Sequence, residues 1–307
     1  MRAVAYHRFG GPEVLETVDL PTPLVGPDSV LVRVRAAGVN PVDWKVRQGH
    51  LQGLLDHVFP VVPGWDVAGV VEKVGLDTPE FQVGDEVVGY VRKDVMHGGT
   101  TAELVAAPVR TLARKPESLS WAEAGGLPLA GLTAYQALRR LGVGEGDTVL
   151  VHNAAGGVGS FAVQVARAFG ARVIGTASER NHERVRGFGG EPVPYGDGMV
   201  EAVRALVPGG VDAVLDLVGG GVATTTSDVG TAGVRLASVA DGSVTQLGGA
   251  YVWVRPDAAD LAALGALADE GRLTVPVAAT FGLEQTADAH RLSEEGHAAG
   301  KVVVTVD

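Results

Sequence analysis

The sequence predicts an α/β chain in which a doubly wound parallel sheet is inserted into a β-rich domain. Three observations carry that expectation. An apolar strand pours into a glycine-rich turn and then an apolar helix at Val149-Leu-Val-His-Asn-Ala-Ala-Gly-Gly-Val-Gly-Ser160, the helix ending near Gly170. From about Ser120 onward, helical and strand patterns alternate, which is how a parallel sheet with crossover helices is written in sequence. Residues 1 to about 115 instead carry short β-rich segments separated by Gly, Pro and Asp turns, as in a small barrel or sandwich.

Taken in order, the first part offers strands at Ser29-Val-Leu-Val-Arg-Val-Arg35, Val67-Ala-Gly-Val-Val-Glu-Lys-Val74 and Asp85-Glu-Val-Val-Gly-Tyr-Val91. The second part offers strands at 148–152, 171–176, 191–195, 211–216, 233–239 and 249–254, with helical stretches between them. Beyond about Leu273 the pattern reads strand at Thr274-Val-Pro-Val, helix near 284–295, and strand at Lys301-Val-Val-Val-Thr-Val306. The tail is expected to return to the first domain. The division is therefore residues 1–118 plus 272–307 for the β-rich domain and 119–271 for the parallel-sheet domain. A cleft between two such domains is the default place for a site.

The glycine turn has the spacing Ala154-x-Gly156-x-x-Gly159. Small residues there allow a tight turn, let backbone approach a pyrophosphate and pack the helix on its strand, so that N–H groups at the helix end hold phosphate oxygens. With 44 glycines in 307 residues such triplets arise by chance, and the placement between strand and helix is what gives this one meaning. A dinucleotide is expected on Asn153, Ala155, Gly156, Gly157, Val158 and Gly159 of a Rossmann unit. The second strand, Arg172-Val-Ile-Gly-Thr-Ala177, ends in Ala177 where an NAD-preferring site offers a carboxylate to the ribose. Ser178, Arg180 and Asn181 follow with a hydroxyl, a cation and an amide suited to a 2′-phosphate. NADPH is expected over NADH. Arg184 reads instead as a solvated residue on a surface helix.

The formal charge of −11 argues against nucleic acid or an anionic membrane as partner. No apolar run approaches the ~20 residues of a spanning helix, and the amino-terminal residues lack a signal-peptide core. A cytoplasmic protein is the expectation. The absence of cysteine excludes disulfides, thiol catalysis and cysteine-bound metal.

From end to end the chain resembles the medium-chain dehydrogenase/reductase superfamily, within it the zinc-free quinone oxidoreductase branch. The residues that carry the resemblance are Ala37-Gly-Val-Asn-Pro-Val-Asp-Trp-Lys45, Pro63-Gly-Trp-Asp-Val-Ala-Gly-Val-Val71, Val83-Gly-Asp-Glu-Val-Val-Gly89, Gly99-Thr-Thr-Ala-Glu103, Leu127-Pro-Leu-Ala-Gly-Leu-Thr-Ala-Tyr135, the glycine turn, and Gly300-Lys-Val-Val-Val. The resemblance implies a GroES-like substrate domain, an inserted Rossmann domain, hydride transfer from NADPH and a homodimer. The segment Ala250-Tyr-Val-Trp-Val-Arg255 is expected either to pair across a two-fold axis as a sheet edge or to be an ordinary internal strand. Zinc dehydrogenases of the superfamily place metal ligands at stations that here read Asn40, Trp65 and approximately Leu129, none suited to zinc. No metal is expected.

Hydride delivered to a quinone, or to the β-carbon of an α,β-unsaturated carbonyl (an enone), puts negative charge on a conjugated oxygen that needs only hydrogen-bond donors. Two residues are candidates for that catalytic role. Lys45 would place an ammonium near the forming enolate, the alternative being a solvated charge; Asn40 would donate its amide, the alternative being a turn residue before Pro41. Asp43 reads as a helix cap. Trp44 and Trp65 are either walls for a planar acceptor or ordinary core aromatics. The resemblance further implies cofactor contacts at Thr133, Tyr195 and Lys301, though Thr133 would serve equally as a helix cap and Lys301 as a salt-bridge partner. Val218, Gly219, Ser238 and Val239 lie at the carboxyl ends of strands, where cofactors bind. His152 reads as a packed residue. A non-catalytic NADPH-binding sensor and an enoyl-thioester reductase remain as alternatives.

Overall fold

The computed structural model describes residues 1–296 and 298–306. It divides into two compact units, Met1–Leu129 with Pro256–Gly271 and Val275–Asp307, and Ala130–Arg255 with Arg272–Thr274.

In chain order the first unit contributes β1 (Arg2–Ala5), β2 (Glu16–Asp19), β3 (Ser29–Val39), α1 (Pro41–Arg47), β4 (Asp56–His57), β5 (Asp66–Val74), β6 (Glu86–Tyr90), β7 (Val95–Met96), β8 (Leu104–Pro108), β9 (Leu112–Arg114) and α2 (Trp121–Gly126). The valines that patterned the sequence line one core: Val30, Val32, Val34, Val67, Val71 and Val87 are all buried in it. Helix α1 starts where it does because Asn40 is an extended residue before Pro41, and Asp43 reaches back to accept the Asn40 backbone N–H at 2.7 Å. This is a capping box, and it gives Asp43 the expected structural role.

The second unit is laid down next by α3 (Pro128–Arg140), whose first residues still belong to the first unit, then β10 (Thr148–Val151), α4 (Gly157–Ala168), β11 (Arg172–Thr176), α5 (His182–Gly187), β12 (Glu191–Val193), α6 (Met199–Leu206), β13 (Val211–Asp216), α7 (Thr226–Val229), β14 (Gly230–Ser238) and β15 (Ala250–Tyr251). These strands form one parallel sheet in the order β12-β11-β10-β13-β14-β15. Order reverses at β10, so a crevice opens at the carboxyl ends of β10 and its neighbours. Val149, Leu150 and Val151 are buried, as a strand covered by helices on both faces requires.

The chain closes with α8 (Ala258–Asp269), β16 (Val277–Gly282), α9 (Thr286–Glu295) and β17 (Lys301–Thr305). The tail from Val275 falls in the first unit. β17 lies antiparallel to β3, pairing Val302 with Val39, and parallel to β16, in the sheet order β16-β17-β3-β5-β6-β9, with β8 also on β3. Helix α8, which sequence organisation grouped with the parallel sheet, falls in the first unit: Asp269 accepts the Ser118 N–H at 2.9 Å, and Gly265 lies against Pro116.

Two departures from the expected strand bounds have a visible cause. The tail strand begins at Val277 rather than Thr274, because Pro276 has no N–H to pair and serves only as acceptor for the Lys301 N–H at 2.7 Å. The strand expected over 249–254 is only Ala250–Tyr251. After the Val252 N–H bonds Ser238 at 2.9 Å, the Gln136 side-chain amide takes over as backbone partner, accepting the Arg255 N–H at 3.0 Å and donating to the Arg255 carbonyl at 2.9 Å.

Candidate functional site

The glycine turn at the end of β10 has the geometry its spacing implies. Asn153 is exposed and holds a left-handed φ of 56°, a conformation asparagine tolerates better than most residues. Its N–H donates to Thr176 Oγ1 at 3.0 Å and the Ala154 N–H to the Thr176 carbonyl at 2.9 Å, which ties the turn to the end of β11. A Cβ on Gly159 would fall 2.0 Å from the Asn153 carbonyl oxygen, and one on Gly175 would fall 2.5 Å from Ala154 Cβ. Hydrogen alone fits at both places, so helix α4 packs directly on its strand. Gly156 precedes α4 with no side chain to cap it. The first bond of the helix, Ser160 N–H to the Gly156 carbonyl at 2.9 Å, leaves the N–H groups of Gly157, Val158 and Gly159 without helical acceptors. A helix start of this kind attracts a phosphate, and the neighbouring Ala155 is buried beneath it.

At the end of β11, Ala177 is buried and Ser178 is half-buried, accepting from Asn181 Nδ2 at 3.0 Å. Arg180 is exposed. So is Glu179 between them, an acidic neighbour that sequence reasoning passed over. Arg184 is not the solvated residue expected. It is half-buried over the Phe188 ring, with Nε and Nη2 lacking hydrogen-bond partners. Tyr195, beyond β12, is 68% exposed. Thr133 is buried inside α3, past the first turn, so it does not cap that helix.

At the ends of β13 and β14, Val218 is exposed, and the N–H groups of Val218 and Gly219 turn inward to Asp216 Oδ1 at 2.8 and 3.0 Å. The Ser238 hydroxyl is buried, donates to Asp216 Oδ2 at 2.8 Å and accepts from Ala240 and Asp241 N–H at 3.1 and 3.0 Å. The hydroxyl has no capacity left for a ligand, which leaves the contact expected at Ser238 to its backbone. Val239 is half-buried and donates its N–H to the Asp216 carbonyl at 3.1 Å. His152 is buried, and burial depresses its imidazole to about 4 despite the opposing Asp216 charge.

In the first unit, the turn from β3 into α1 holds a buried polar cluster that sequence reasoning saw only as separate residues. Asn40 Nδ2 donates to Asp66 Oδ2 at 2.8 Å, and Asn40 Oδ1 accepts from Lys301 Nζ. Asp66 Oδ1 accepts the Leu129 N–H at 2.8 Å, and Lys301 Nζ lies 4.0 Å from Asp66. Burial pushes Asp43 up to about 7 and Asp66 up to about 6, and it lowers Lys301 against the attraction of both carboxylates. Two assignments are corrected by this geometry. The Asn40 amide is not a free donor: its Nδ2 donates to Asp66 and, at 3.4 Å, to the Gly38 carbonyl, while its oxygen accepts from Lys301. Lys301 is buried against Asn40 and Asp66 and presents no ammonium to a 2′-phosphate.

Lys45 is exposed, 5.5 Å from the Trp44 ring centroid. Trp44 is half-buried, its indole Nε1 without a hydrogen-bond partner. Trp65 is buried edge-on to Tyr90, ring centroids 6.0 Å apart, and borders a cavity of about 20 Å³ shared with Asp43, Val61, Lys93 and Met96. Arg47, two residues beyond Lys45, is wholly buried. It donates to the Gly10 carbonyl at 3.1 Å and to His290 Nδ1 at 3.0 Å, and it pairs with Glu294. No signal local to α1 reveals that role, since its partners lie on α9.

A parallel sheet with this strand order, and an uncapped helix behind a tight glycine turn at its switch point, define a dinucleotide-dependent oxidoreductase of two-unit design. Residues 26–117 match the family described as alcohol dehydrogenase GroES-like domain, and residues 190–304 the family described as zinc-binding dehydrogenase. The chain is 31% identical to a chloroplast envelope quinone oxidoreductase homolog of Arabidopsis thaliana, the match covering 99% of this chain and 98% of that protein. It is 36% identical to the NADPH-dependent alkenal/one oxidoreductase, chloroplastic, of the same plant, covering 99% and 79%. A solved structure of the quinone oxidoreductase from Coxiella burnetii superposes with a TM-score of 0.89 at 36% identity, covering 100% of this chain and 99% of that one. The chain belongs to the quinone oxidoreductase branch of the medium-chain dehydrogenase/reductase superfamily.

The donor set does not suit the zinc that one of these family descriptions mentions. The sequence has no cysteine, the Asn40 amide is occupied, Trp65 is an indole, and Leu129 offers only backbone. Among the described residues no group of three or more His, Asp or Glu is placed to hold a metal.

Proposed function

We propose that this chain is an NADPH-dependent reductase of quinones and α,β-unsaturated carbonyls that works without zinc. The observation that carries the reading is the turn at Asn153–Gly159, where close packing and an uncapped helix start leave a cradle for a pyrophosphate. The names of its relatives, a quinone oxidoreductase homolog and an NADPH-dependent alkenal/one oxidoreductase, support the acceptor class.

In this reading the N–H groups of Gly157, Val158 and Gly159 hold the pyrophosphate, with Asn153, Ala155 and Gly156 shaping the turn. Ser178, Arg180 and Asn181 receive the 2′-phosphate in the absence of a carboxylate at Ala177, and exposed Tyr195 covers the adenosine side. Thr133 and the backbone of Val218, Gly219 and Val239 serve the nicotinamide end. When bound, NADPH supplies the hydride. Lys45, exposed beside the Trp44 ring, stabilises the oxygen on which negative charge develops. Half-buried Trp44 presents apolar surface to a planar acceptor, whereas Trp65 is the ordinary core aromatic of the two alternatives, and water returns the proton.

We further propose a cytoplasmic homodimer. The cysteine-free composition suits a reducing compartment. β15 stands at the end of its sheet order with Tyr251 43% exposed, an edge better paired than left in water. Solution mass tests the dimer and fractionation of the source cells tests the compartment.

The activity test follows NADPH absorbance with a panel of quinones, enones and saturated aldehydes, alongside thermal shift with NADPH alone. Consumption with the first two classes and not the third is expected. Stabilisation by NADPH without consumption across the panel would replace the reductase with a binding protein. The variant Lys45→Ala should lower kcat with an enone while leaving NADPH affinity intact; unaltered turnover would remove Lys45 from the reaction.

A further inference from the structure

The loops that follow β13 and β14 differ from the glycine turn in what holds them. Gly219, Gly220 and Gly221 have left-handed φ values of 77°, 63° and 85° in succession. A run of three glycines is very free backbone, yet this one stands beside the switch strand β10, where a ligand-binding edge must be fixed before the ligand arrives. The fixing group is Asp216, the last residue of β13, with no exposed surface. One of its oxygens takes the N–H groups of Val218 and Gly219, and the other takes the Ser238 hydroxyl at the end of β14. Ser238 Oγ in turn takes the N–H groups of Ala240 and Asp241. The two loops also meet directly, since a Cβ on Gly219 would fall 3.3 Å from Ala240 Cβ and 3.4 Å from Asp241 Cβ. Half-buried Asp241 accepts the Ser243 N–H at 2.9 Å, and hydrogen bonds from Ser243 first, then from the Gly221 and Gly220 N–H groups, hold its carboxyl below the usual carboxylate range. Two loops from neighbouring strands are thus joined into one body through a single buried carboxylate.

We propose that Asp216 is a positioning residue for the cofactor: through Ser238 and Asp241 it pre-sets residues 217–225 and 239–248 as a single edge of the NADPH site. The inference rests on the reading of the chain as an NADPH-dependent reductase. Asp216 touches neither cofactor nor acceptor in this account. Its contribution is that binding does not have to order the glycine run.

The variants Ser238→Ala and Asp216→Asn each remove part of the tie while leaving β13 and β14 paired. Steady-state kinetics should show KM for NADPH raised by about tenfold or more, with kcat at saturating NADPH changed far less. Because the two side chains act as one unit, the double variant should be scarcely worse than the more damaging single. Hydrogen exchange on the cofactor-free protein supplies an independent reading. The amides of Ala240 and Asp241 should lose protection in Ser238→Ala, whereas the His152 amide, bonded to the Leu215 carbonyl in the sheet, should keep it. Variants that melt lower but bind NADPH as tightly as the parent would overturn the proposal and leave a purely structural tie, as would unchanged exchange at Ala240 and Asp241. A parent protein that neither binds nor oxidises NADPH would overturn the reductase reading itself, and this role with it.

Discussion

Replacing Gly159 with alanine tests the geometry on which the cofactor reading stands. The added Cβ would lie 2.0 Å from the Asn153 carbonyl oxygen, 2.7 Å from Ala154 Cα and 2.8 Å from the Ala154 carbonyl carbon. All of these are backbone atoms, so no side chain can swing aside. Real Cβ atoms are essentially never found closer than 3.0 Å, so the helix start and the turn must part by about 1 Å. Overpacking of this kind costs roughly 1–3 kcal/mol, and a site that yields only through backbone belongs at the upper end. At about 2–4 °C per kcal/mol for a chain of this size class, the melting point should fall by roughly 4–10 °C. The N–H groups of Gly157, Val158 and Gly159 ride on the same displaced turn, and a misplacement of about 1 Å at such a site is worth about a hundredfold. Fluorescence titration with NADPH and a thermal melt read the two effects separately. Gly187→Ala is the control: it ends helix α5 and its Cβ would meet nothing within 4 Å, so stability should hold or rise by a few tenths to ~1 kcal/mol. Gly159→Ala binding NADPH within about threefold of the parent would refute the reasoning.

Removing the Asp66 carboxylate by Asp66→Ala leaves Lys301 buried without its counter-charge and the Leu129 N–H without an acceptor. Urea denaturation should show a loss of about 3–5 kcal/mol, and a loss below about 1 kcal/mol would mean the cluster is not bonded as described. His290 predicts a pH dependence. Burial, aided by the Arg47 charge, holds its imidazole down to about 3 in the folded protein against 6.5 for an ordinary histidine. Its neutral form therefore favours folding above pH 6.5, and that stability is lost as pH falls toward 3, by about 1.4 kcal/mol per unit. Asp43, raised to about 7, acts in the opposite sense, favouring the fold as pH falls from about 7 to 3.8. The histidine effect is therefore read as the parent's stability advantage over His290→Gln, which should narrow by roughly 2–3 kcal/mol between about pH 7 and 4.5. A constant advantage across that range would contradict a buried neutral imidazole. Arg180→Ala should raise KM for NADPH by about ten- to a hundredfold and leave KM for NADH nearly unchanged; equal effects on the two cofactors would remove Arg180 from 2′-phosphate recognition.

What the sequence disclosed and what it hid divide along physical lines. The strands of the parallel sheet were legible because β10, β11 and β13 are short apolar runs bounded by turn residues, and Val149–Val151 must be apolar on both faces. The glycine turn was legible because its tightest contact is local: Gly159 and the Asn153 carbonyl it meets are six positions apart. The polar assignments fared differently. Asn40 and Lys301 stood as separate candidates, one catalytic and one at the cofactor, because nothing local shows that residues 261 positions apart share a hydrogen bond. Arg47 was hidden in the same way behind α9. Asp216 went unnoticed because an acid at a strand end looks like a turn residue until its partners on the next strand are known. β15 proved short because a glutamine from α3 replaced the missing sheet partner, and hydropathy patterning carries no trace of such a substitution.

The pairing of β3 with β17 bears on how the molecule is made. Val39 is synthesised 263 residues before Val302, the partner it bonds in the sheet, and Arg47 waits comparably long for His290. A chain emerging from the ribosome therefore leaves the Ala36–Val39 end of β3 without its β17 partner for nearly the whole of its synthesis, while the parallel sheet, whose last strand ends at Tyr251, has all its pieces earlier. Folding should proceed inside out, the inserted unit maturing before the unit that surrounds it in sequence. A ribosome stalled before residue 301 would display a valine-lined sheet with an open edge, the kind of surface that chaperones shield and that aggregates recruit.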